Sequence, residues 1–102
     1  MPRQPEGKLV KAAKRLIESR GGRCFNIHGG DNPFQEVGIP DLLCCYRGRF
    51  IGPEGKQEGE SPSPKQLEII GQIHGAGGIA FAFHSLDQVR AVLDNIDKEV
   101  DD

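Results

Sequence analysis

The feature that most constrains the fold is a strand, helix and strand pattern in the second half of the chain. Residues 49–56 and 79–83 are short segments typical of strands, and residues 64–75 between them have apolar positions at helical spacing. Two strands joined by a crossover helix pair in parallel, and the crossover is right-handed in almost all proteins. The pattern therefore predicts a right-handed βαβ unit, with a helix packed on a face of the sheet.

The rest of the chain predicts a mixed sheet with helices on its faces. Periodicity and alternation place a helix at about 5–20, strands at 23–28 and 41–46, and a last helix after Ser85. The second and third strands form an antiparallel hairpin about Arg47-Gly48. The predicted order is α-β-β-β-α-β-α, an α/β fold in a single domain over residues 1–102. Its acidic end, about residues 97–102, is expected to fray.

Length and composition limit the class of protein. A chain of 102 residues suffices for one modest core. No stretch approaches the roughly 20 apolar residues of a membrane span, and the N-terminus lacks the pattern of a signal peptide. Three cysteines, with Cys44 and Cys45 adjacent, do not predict a disulfide framework. We therefore expect a cytoplasmic, intracellular protein without a membrane partner, of phage or cellular origin.

The charge is distributed unevenly along the chain. Residues 1–56 hold 10 Lys and Arg against 6 Asp and Glu, whereas residues 57–102 hold 3 against 9. Binding to a phosphate backbone depends on local positive potential, so the net charge of −2 does not exclude DNA. The candidate contacts to a DNA backbone are Lys8, Lys11, Lys14, Arg15, Arg47 and Arg49. For each of them, a merely solvated charge is the alternative.

The basic half also contains residues suited to metal chemistry. Asp41 begins an apolar run, and Glu54 and Lys56 are two residues apart, which places both side chains on one face of a strand. Two carboxylates favour Mg²⁺ or Mn²⁺ over softer metals. A neighbouring ammonium can hold a hydroxide or a phosphate oxygen. Together these groups are the minimum that metal-assisted phosphodiester hydrolysis requires.

Two helices each carry one polar residue on their apolar side. Glu6 extends the apolar stripe of the first helix by one turn, and Gln66 lies on the stripe of the helix that follows Ser63. Glu6 either faces the site or complements the helix dipole. Gln66 is at the capping-box position after Ser63, so it caps the helix, faces the site, or does both.

In order and spacing, these segments resemble the PD-(D/E)XK nucleases, and within them the VRR-NUC type. The matching segments are Glu6, His28-Gly29-Gly30, Gly38-Ile39-Pro40-Asp41, Glu54-x-Lys56 and Ser63-Pro64-Lys65-Gln66. The resemblance implies a restriction-endonuclease-like fold. It also implies a metal-dependent endonuclease that acts as a homodimer on branched DNA, such as four-way junctions.

The resemblance also implies a role for each site residue. Asp41 and Glu54 would bind Mg²⁺ or Mn²⁺, with the carbonyl of Gly55 as a third ligand. Lys56 would orient or help deprotonate the attacking water. Gln66 would hold that water or a phosphate oxygen, and Glu6 would complete the surroundings of the metal.

One departure from the pattern concerns the neighbours of Glu54. Pro53 and Gly55 stand where the resemblance leads us to expect apolar, often β-branched residues. Because proline cannot donate to a ladder and glycine weakens a strand, residues 52–55 can also form a β-turn. A turn favours a non-catalytic DNA-binding relative with a damaged metal site, and a continuous strand favours a nuclease. If the strand forms, Pro53→Ile with Gly55→Val is expected to stabilise it.

A zinc-binding interaction module is the remaining alternative. Its ligands would come from Cys24, His28, Cys44, Cys45, His74 and His84. The chain has no Cys-x-x-Cys pair, and the two adjacent cysteines would point to opposite faces of a strand. The pattern therefore does not favour zinc.

Overall fold

The computed structural model describes the backbone of residues 4–27 and 37–102, and the side chains of residues 7–27 and 37–102. The helices are α1 (Gln4–Ser19), α2 (Pro64–Gly75) and α3 (Leu86–Asp101), and the strands are β1 (Arg23–Asn26), β2 (Leu42–Tyr46), β3 (Arg49–Gly55) and β4 (Ile79–Phe83). The predicted order α-β-β-β-α-β-α is confirmed. Within the described backbone, no helix is long and apolar enough to cross a membrane.

The four strands of the described chain form one mixed sheet in the order β1-β2-β3-β4. Strand β2 pairs antiparallel with both β1 and β3, and β3 pairs parallel with β4. The predicted hairpin and the parallel pair of the βαβ unit are therefore both confirmed. Because β3 and β4 are parallel, their carboxyl ends lie at the same edge of the sheet, where a site can be assembled from both.

The core lies on the face of the sheet that α1 and α3 cover. Its buried members are Ala13, Ile17, Cys24, Leu42, Cys44, Tyr46, Ile51, Phe83, Val89, Leu93 and Ile96. Side chains alternate along a strand, so Ile51 and Glu54 of β3 point to opposite faces. Helix α2 lies on the second face, where its first turn reaches Glu54.

The acidic end of the chain, residues 97–102, is helical up to its penultimate residue. The fraying expected there remains a prediction. Asp97 accepts hydrogen bonds from Tyr46 at 2.8 Å, from Arg47 at 3.2 Å and from Arg20 at 2.8 Å. These partners lie about 50 or more positions earlier in the chain. Local composition therefore gave no sign of these contacts.

Candidate active site at the end of strands β3 and β4

Strand β3 is continuous through Glu54, so the alternative of a β-turn at residues 52–55 is wrong. The amide of Lys56 donates to the carbonyl of Phe83 in β4 at 2.9 Å. Amide directions alternate along a strand, so the nitrogen of Pro53 faces away from β4. The donor that proline lacks is therefore not needed in the ladder with β4, which explains why proline is tolerated here.

Gly55 is explained by the close approach of α1. A Cβ atom at Gly55 would lie 2.7 Å from Cγ2 of Val10, well inside van der Waals contact. Valine is stiff about its only side-chain torsion, so it cannot move aside cheaply. The geometry therefore contradicts the expectation that Gly55→Val stabilises the strand.

Asp41 lies beside the end of β3. Its Oδ2 accepts a hydrogen bond of 2.8 Å from the amide of Gly55, the residue after Glu54. In an extended strand, the amide and carbonyl of one residue point to the same side. The Gly55 carbonyl therefore also faces the side on which Asp41 lies. Two residues predicted as metal ligands are thus brought together by folding.

Glu54 is a buried charged residue, with 5% of its surface exposed. Its Oε2 accepts a hydrogen bond of 2.5 Å from Nε2 of Gln66, and Nζ of Lys56 lies 3.9 Å from the same oxygen. A buried carboxylate is costly unless hydrogen bonds and opposite charge compensate it. Gln66 and Lys56 supply both.

Gln66 caps α2 and also contacts Glu54, a predicted site residue. Its backbone amide donates to Oγ of Ser63 at 3.1 Å, and its Oε1 accepts from the backbone amide of Ser63 at 2.8 Å, which completes a capping box. Its Nε2 meanwhile donates to Glu54. The sequence predicted a water or phosphate partner, and it did not predict this bond to a carboxylate.

Two predicted elements of the site lie outside the described part of the chain. Glu6 belongs to α1, but its side chain is not among those described. The segment His28-Gly29-Gly30 also lies outside the described residues. Their roles remain predictions.

An open groove of about 390 Å³ adjoins the site. It is lined by Leu9, Lys56, Gln57, Glu58 and His84. His84 follows β4, and its Nε2 lies 2.8 Å from the carbonyl of Glu60. No role was predicted for Leu9. The sequence feature that indicates a place for His84 beside the site is its position directly after a parallel strand, at the edge where β3 also ends.

A stripe of exposed basic residues follows the outer side of α1. Lys8, Lys11 and Arg15 are exposed and share one face of the helix, opposite the buried residues of the core. Lys14 is half-buried beside them. Among the described residues, no ion pair joins these four to an acid. An exposed positive face of this kind suits contact with a polyanion.

The arginines of the hairpin have acidic neighbours instead. Arg47 pairs with Asp97 at 3.2 Å and with Asp101 at 2.9 Å, and Arg49 lies 3.7 Å from Glu99. To bind a DNA backbone, both would first have to exchange these partners. Their predicted contact with DNA remains a prediction, and the structure gives them a second role in holding α3.

The oxygen atoms at the end of β3 suit a hard cation. They are the carboxylates of Asp41 and Glu54 and the carbonyl of Gly55. Mg²⁺ binds through one or two carboxylates and keeps waters or substrate phosphates as its other ligands. The described side chains contain no group of three or more His, Cys, Asp or Glu that could hold a metal ion. That part of the chain therefore offers no closed zinc site.

Comparison with known proteins supports a nuclease-type fold. No family model and no curated protein matches the sequence. A solved structure described as a VRR_NUC domain matches with a TM-score of 0.72 and 29% sequence identity, covering 88% of this chain and 95% of that one. The chain is thus a small α/β domain of the nuclease type. Its fold is similar to that of a VRR_NUC domain, which confirms the resemblance to this type predicted from the sequence.

Proposed function

We propose that the protein is an endonuclease that uses Mg²⁺ or Mn²⁺ to hydrolyse phosphodiester bonds in DNA. One observation carries the proposal: Asp41, Glu54, Lys56 and Gln66, spread over 26 positions, converge at the end of β3. Lys56 also lines the adjoining groove. Two acids, an ammonium and an amide beside a groove are the groups that metal-assisted hydrolysis requires.

The residues of the chain have separate tasks in this proposal. A bound cation would polarise the phosphate and lower the pKa of a water. Asp41, Glu54 and the carbonyl of Gly55 would hold it. Lys56 would orient the attacking water and stabilise the charge that develops on the phosphate. Its side chain is only 13% exposed, and an ammonium acts more strongly where water is excluded.

DNA would approach along α1. Val10 packs against Gly55, and Leu9 lines the same groove as Lys56, so the first half of α1 borders the site. We propose that the stripe formed by Lys8, Lys11, Lys14 and Arg15 binds the phosphate backbone. Contacts to phosphates carry no sequence information, so this surface positions DNA without selecting a base sequence.

For the substrate, we propose branched DNA such as a four-way junction, and for the assembly a homodimer. Both follow from the resemblance to VRR-NUC nucleases. A chain of 102 residues presents a small surface, and two copies would bring two sites to one junction. Light scattering measures the mass in solution. Cleavage of a four-way junction compared with a linear duplex of the same sequence tests the substrate.

The alternative is a non-catalytic DNA-binding relative with a damaged metal site. Its argument rested on a turn at residues 52–55, and the continuous strand removes that argument. The discriminating experiment incubates labelled junction DNA with the protein and either Mg²⁺, Mn²⁺ or a chelator. The nuclease predicts products that need the metal and that disappear in Asp41→Asn. Binding without any product under all conditions would support the alternative.

A further inference from the structure

The start of α2 is tied to the active site through one side chain. Ser63 and Gln66 form a reciprocal capping box, in which each residue uses its backbone amide and its side-chain oxygen. The amide of Ser63 donates to Oε1 of Gln66, and Nε2 of Gln66 donates to Glu54. One carboxamide therefore links the helix cap to a buried carboxylate.

The cap also fixes which way the carboxamide points. A carboxamide has an acceptor end and a donor end. Because the acceptor end is held by the amide of Ser63, the donor end is directed at Oε2 of Glu54. If the group were reversed, an oxygen would face the buried carboxylate and the amide of Ser63 would lose its acceptor. The position of Glu54 thus depends on the geometry of the cap.

The start of α3 repeats the sequence pattern without this connection. Ser85 caps α3 by accepting from the amide of Gln88 at 3.4 Å, again with glutamine three residues after serine. There, Oε1 of Gln88 accepts from the backbone amide of His84 at 2.5 Å. The two helices are thus a matched pair, in which both serines cap a helix and one cap connects to the site.

We propose that Ser63 is a positioning residue of the active site, which holds Gln66 in the orientation that fixes the carboxylate of Glu54 for metal binding. The proposal rests on the proposed function, because it assigns Glu54 to a metal. Residues that orient metal ligands typically change metal affinity or activity by about 10- to 100-fold when they are lost. A merely structural cap changes stability and leaves metal affinity unaltered.

The test compares Ser63→Ala with Ser85→Ala, and uses Ser63→Thr as the rescue because threonine also caps helices. Mg²⁺ affinity is measured by calorimetry and thermal stability by circular dichroism. The side-chain amide signals of Gln66 are followed by NMR in metal-free protein. Ser63→Ala keeps the backbone amide that binds Oε1 of Gln66 but removes the hydroxyl that accepts from the backbone amide of Gln66, which loosens the reciprocal cap. We therefore expect Ser63→Ala to shift those signals and to weaken Mg²⁺ binding by about tenfold or more. Ser63→Thr should restore the Gln66 signals and the Mg²⁺ affinity. Ser85→Ala should lower thermal stability and leave the Gln66 signals and the Mg²⁺ affinity unchanged.

Equal Mg²⁺ affinity and unshifted Gln66 signals in Ser63→Ala would overturn the proposal. If Ser63→Ala does not fold, Ser63→Gly decides in the same way, because glycine costs a helix start little while it removes the hydroxyl. If wild-type protein binds neither Mg²⁺ nor Mn²⁺, the proposed function fails, and the NMR signals still report whether Ser63 positions Gln66. The two failures are therefore distinguishable.

Discussion

Strand β3 has charged residues at both of its ends, and the two ends use them differently. At the hairpin end, Arg49 and neighbouring Arg47 pair with acids of α3, and both side chains are about 40% exposed (42% and 38%). At the site end, Glu54 and Lys56 are largely buried. Exposed pairs contribute little to stability, and buried charges cost stability unless they are compensated.

The difference separates charges that pair on the surface of the fold from charges that belong to the proposed site. The hairpin arginines pair with acids in the last turns of α3, so their charge is partly compensated within the chain. The acid and the ammonium at the site end remain 3.9 Å apart, with the amide of Gln66 closer to the acid than the ammonium is. About 20 Å of strand separates the two ends.

The largest expected effect is on catalysis at the site end. Lys56→Ala should lower the cleavage rate by about 100-fold or more, because an electrostatic contact to the transition state typically contributes that much. DNA affinity should stay close to that of wild type. The measurements are single-turnover cleavage and DNA binding. Lys98→Ala, which changes an exposed lysine of α3, is the control. Cleavage at the wild-type rate in Lys56→Ala would remove Lys56 from the mechanism.

The next effect concerns the packing of α1 on the site end. Gly55→Val should destabilise the protein by about 1–3 kcal/mol, the usual cost of overpacking, because its side chain would meet Val10. Gly71→Ala is the matched control, since nothing lies near its new Cβ and alanine favours a helix by about 1 kcal/mol. Chemical denaturation measures the free energy of unfolding of both variants. A Gly55→Val protein as stable as wild type would mean that α1 lies farther from β3.

The α1 stripe and the hairpin arginines should contribute differently to DNA binding. Replacing Lys11 and Arg15 of the α1 stripe by glutamine should weaken DNA binding and reduce the salt slope by about 2, one unit for each lost phosphate contact. The same replacement at Arg47 and Arg49 should reduce the slope less, because those arginines would first have to give up their partners in α3. Fluorescence anisotropy at several salt concentrations gives the slopes. Equal losses in both double variants would place DNA on the hairpin as well.

The smallest effect is the pH dependence of the hairpin end. A hydrogen bond from Tyr46, with further ones from Arg47 and Arg20, holds the pKa of Asp97 below its ordinary value of 3.8. A lowered folded-state pKa gives stability that is fully present above the ordinary value and is lost as the pH falls through the folded-state value.

Asp97→Asn should therefore melt at a lower temperature than wild type at pH 7, and the difference should shrink as the pH falls below 3.8. Asp102→Asn, at the exposed end of the chain, is the control. A difference in melting temperature that is constant down to pH 2 would show that Asp97 acts by packing rather than by charge.

The order of elements and the parallel pairing of β3 with β4 were predictable from the sequence, because periodicity and the crossover rule act locally. The bounds of α2 and β4 were predicted as observed. The convergence of Glu54, Lys56 and Gln66 was also predictable, because strand alternation and the start of α2 place them.

Other features depend on contacts between distant segments. The need for glycine at Gly55 comes from Val10, which belongs to another element. The hydrogen bonds of Asp97 depend on Arg20 and Arg47, and the bond from Gln66 to Glu54 depends on how closely α2 packs on the sheet. No local pattern contains these distances, so they could not be predicted from the sequence.

Mg²⁺ binding tests the central claim most directly. In calorimetric titrations, wild-type protein should bind Mg²⁺ or Mn²⁺, and Asp41→Asn and Glu54→Gln should each lose that binding while remaining folded. Asp101→Asn, which changes a carboxylate at the hairpin end, should bind as wild type does. A wild-type protein that binds neither ion, or a Glu54→Gln protein with unchanged affinity, would contradict a metal site at the end of β3.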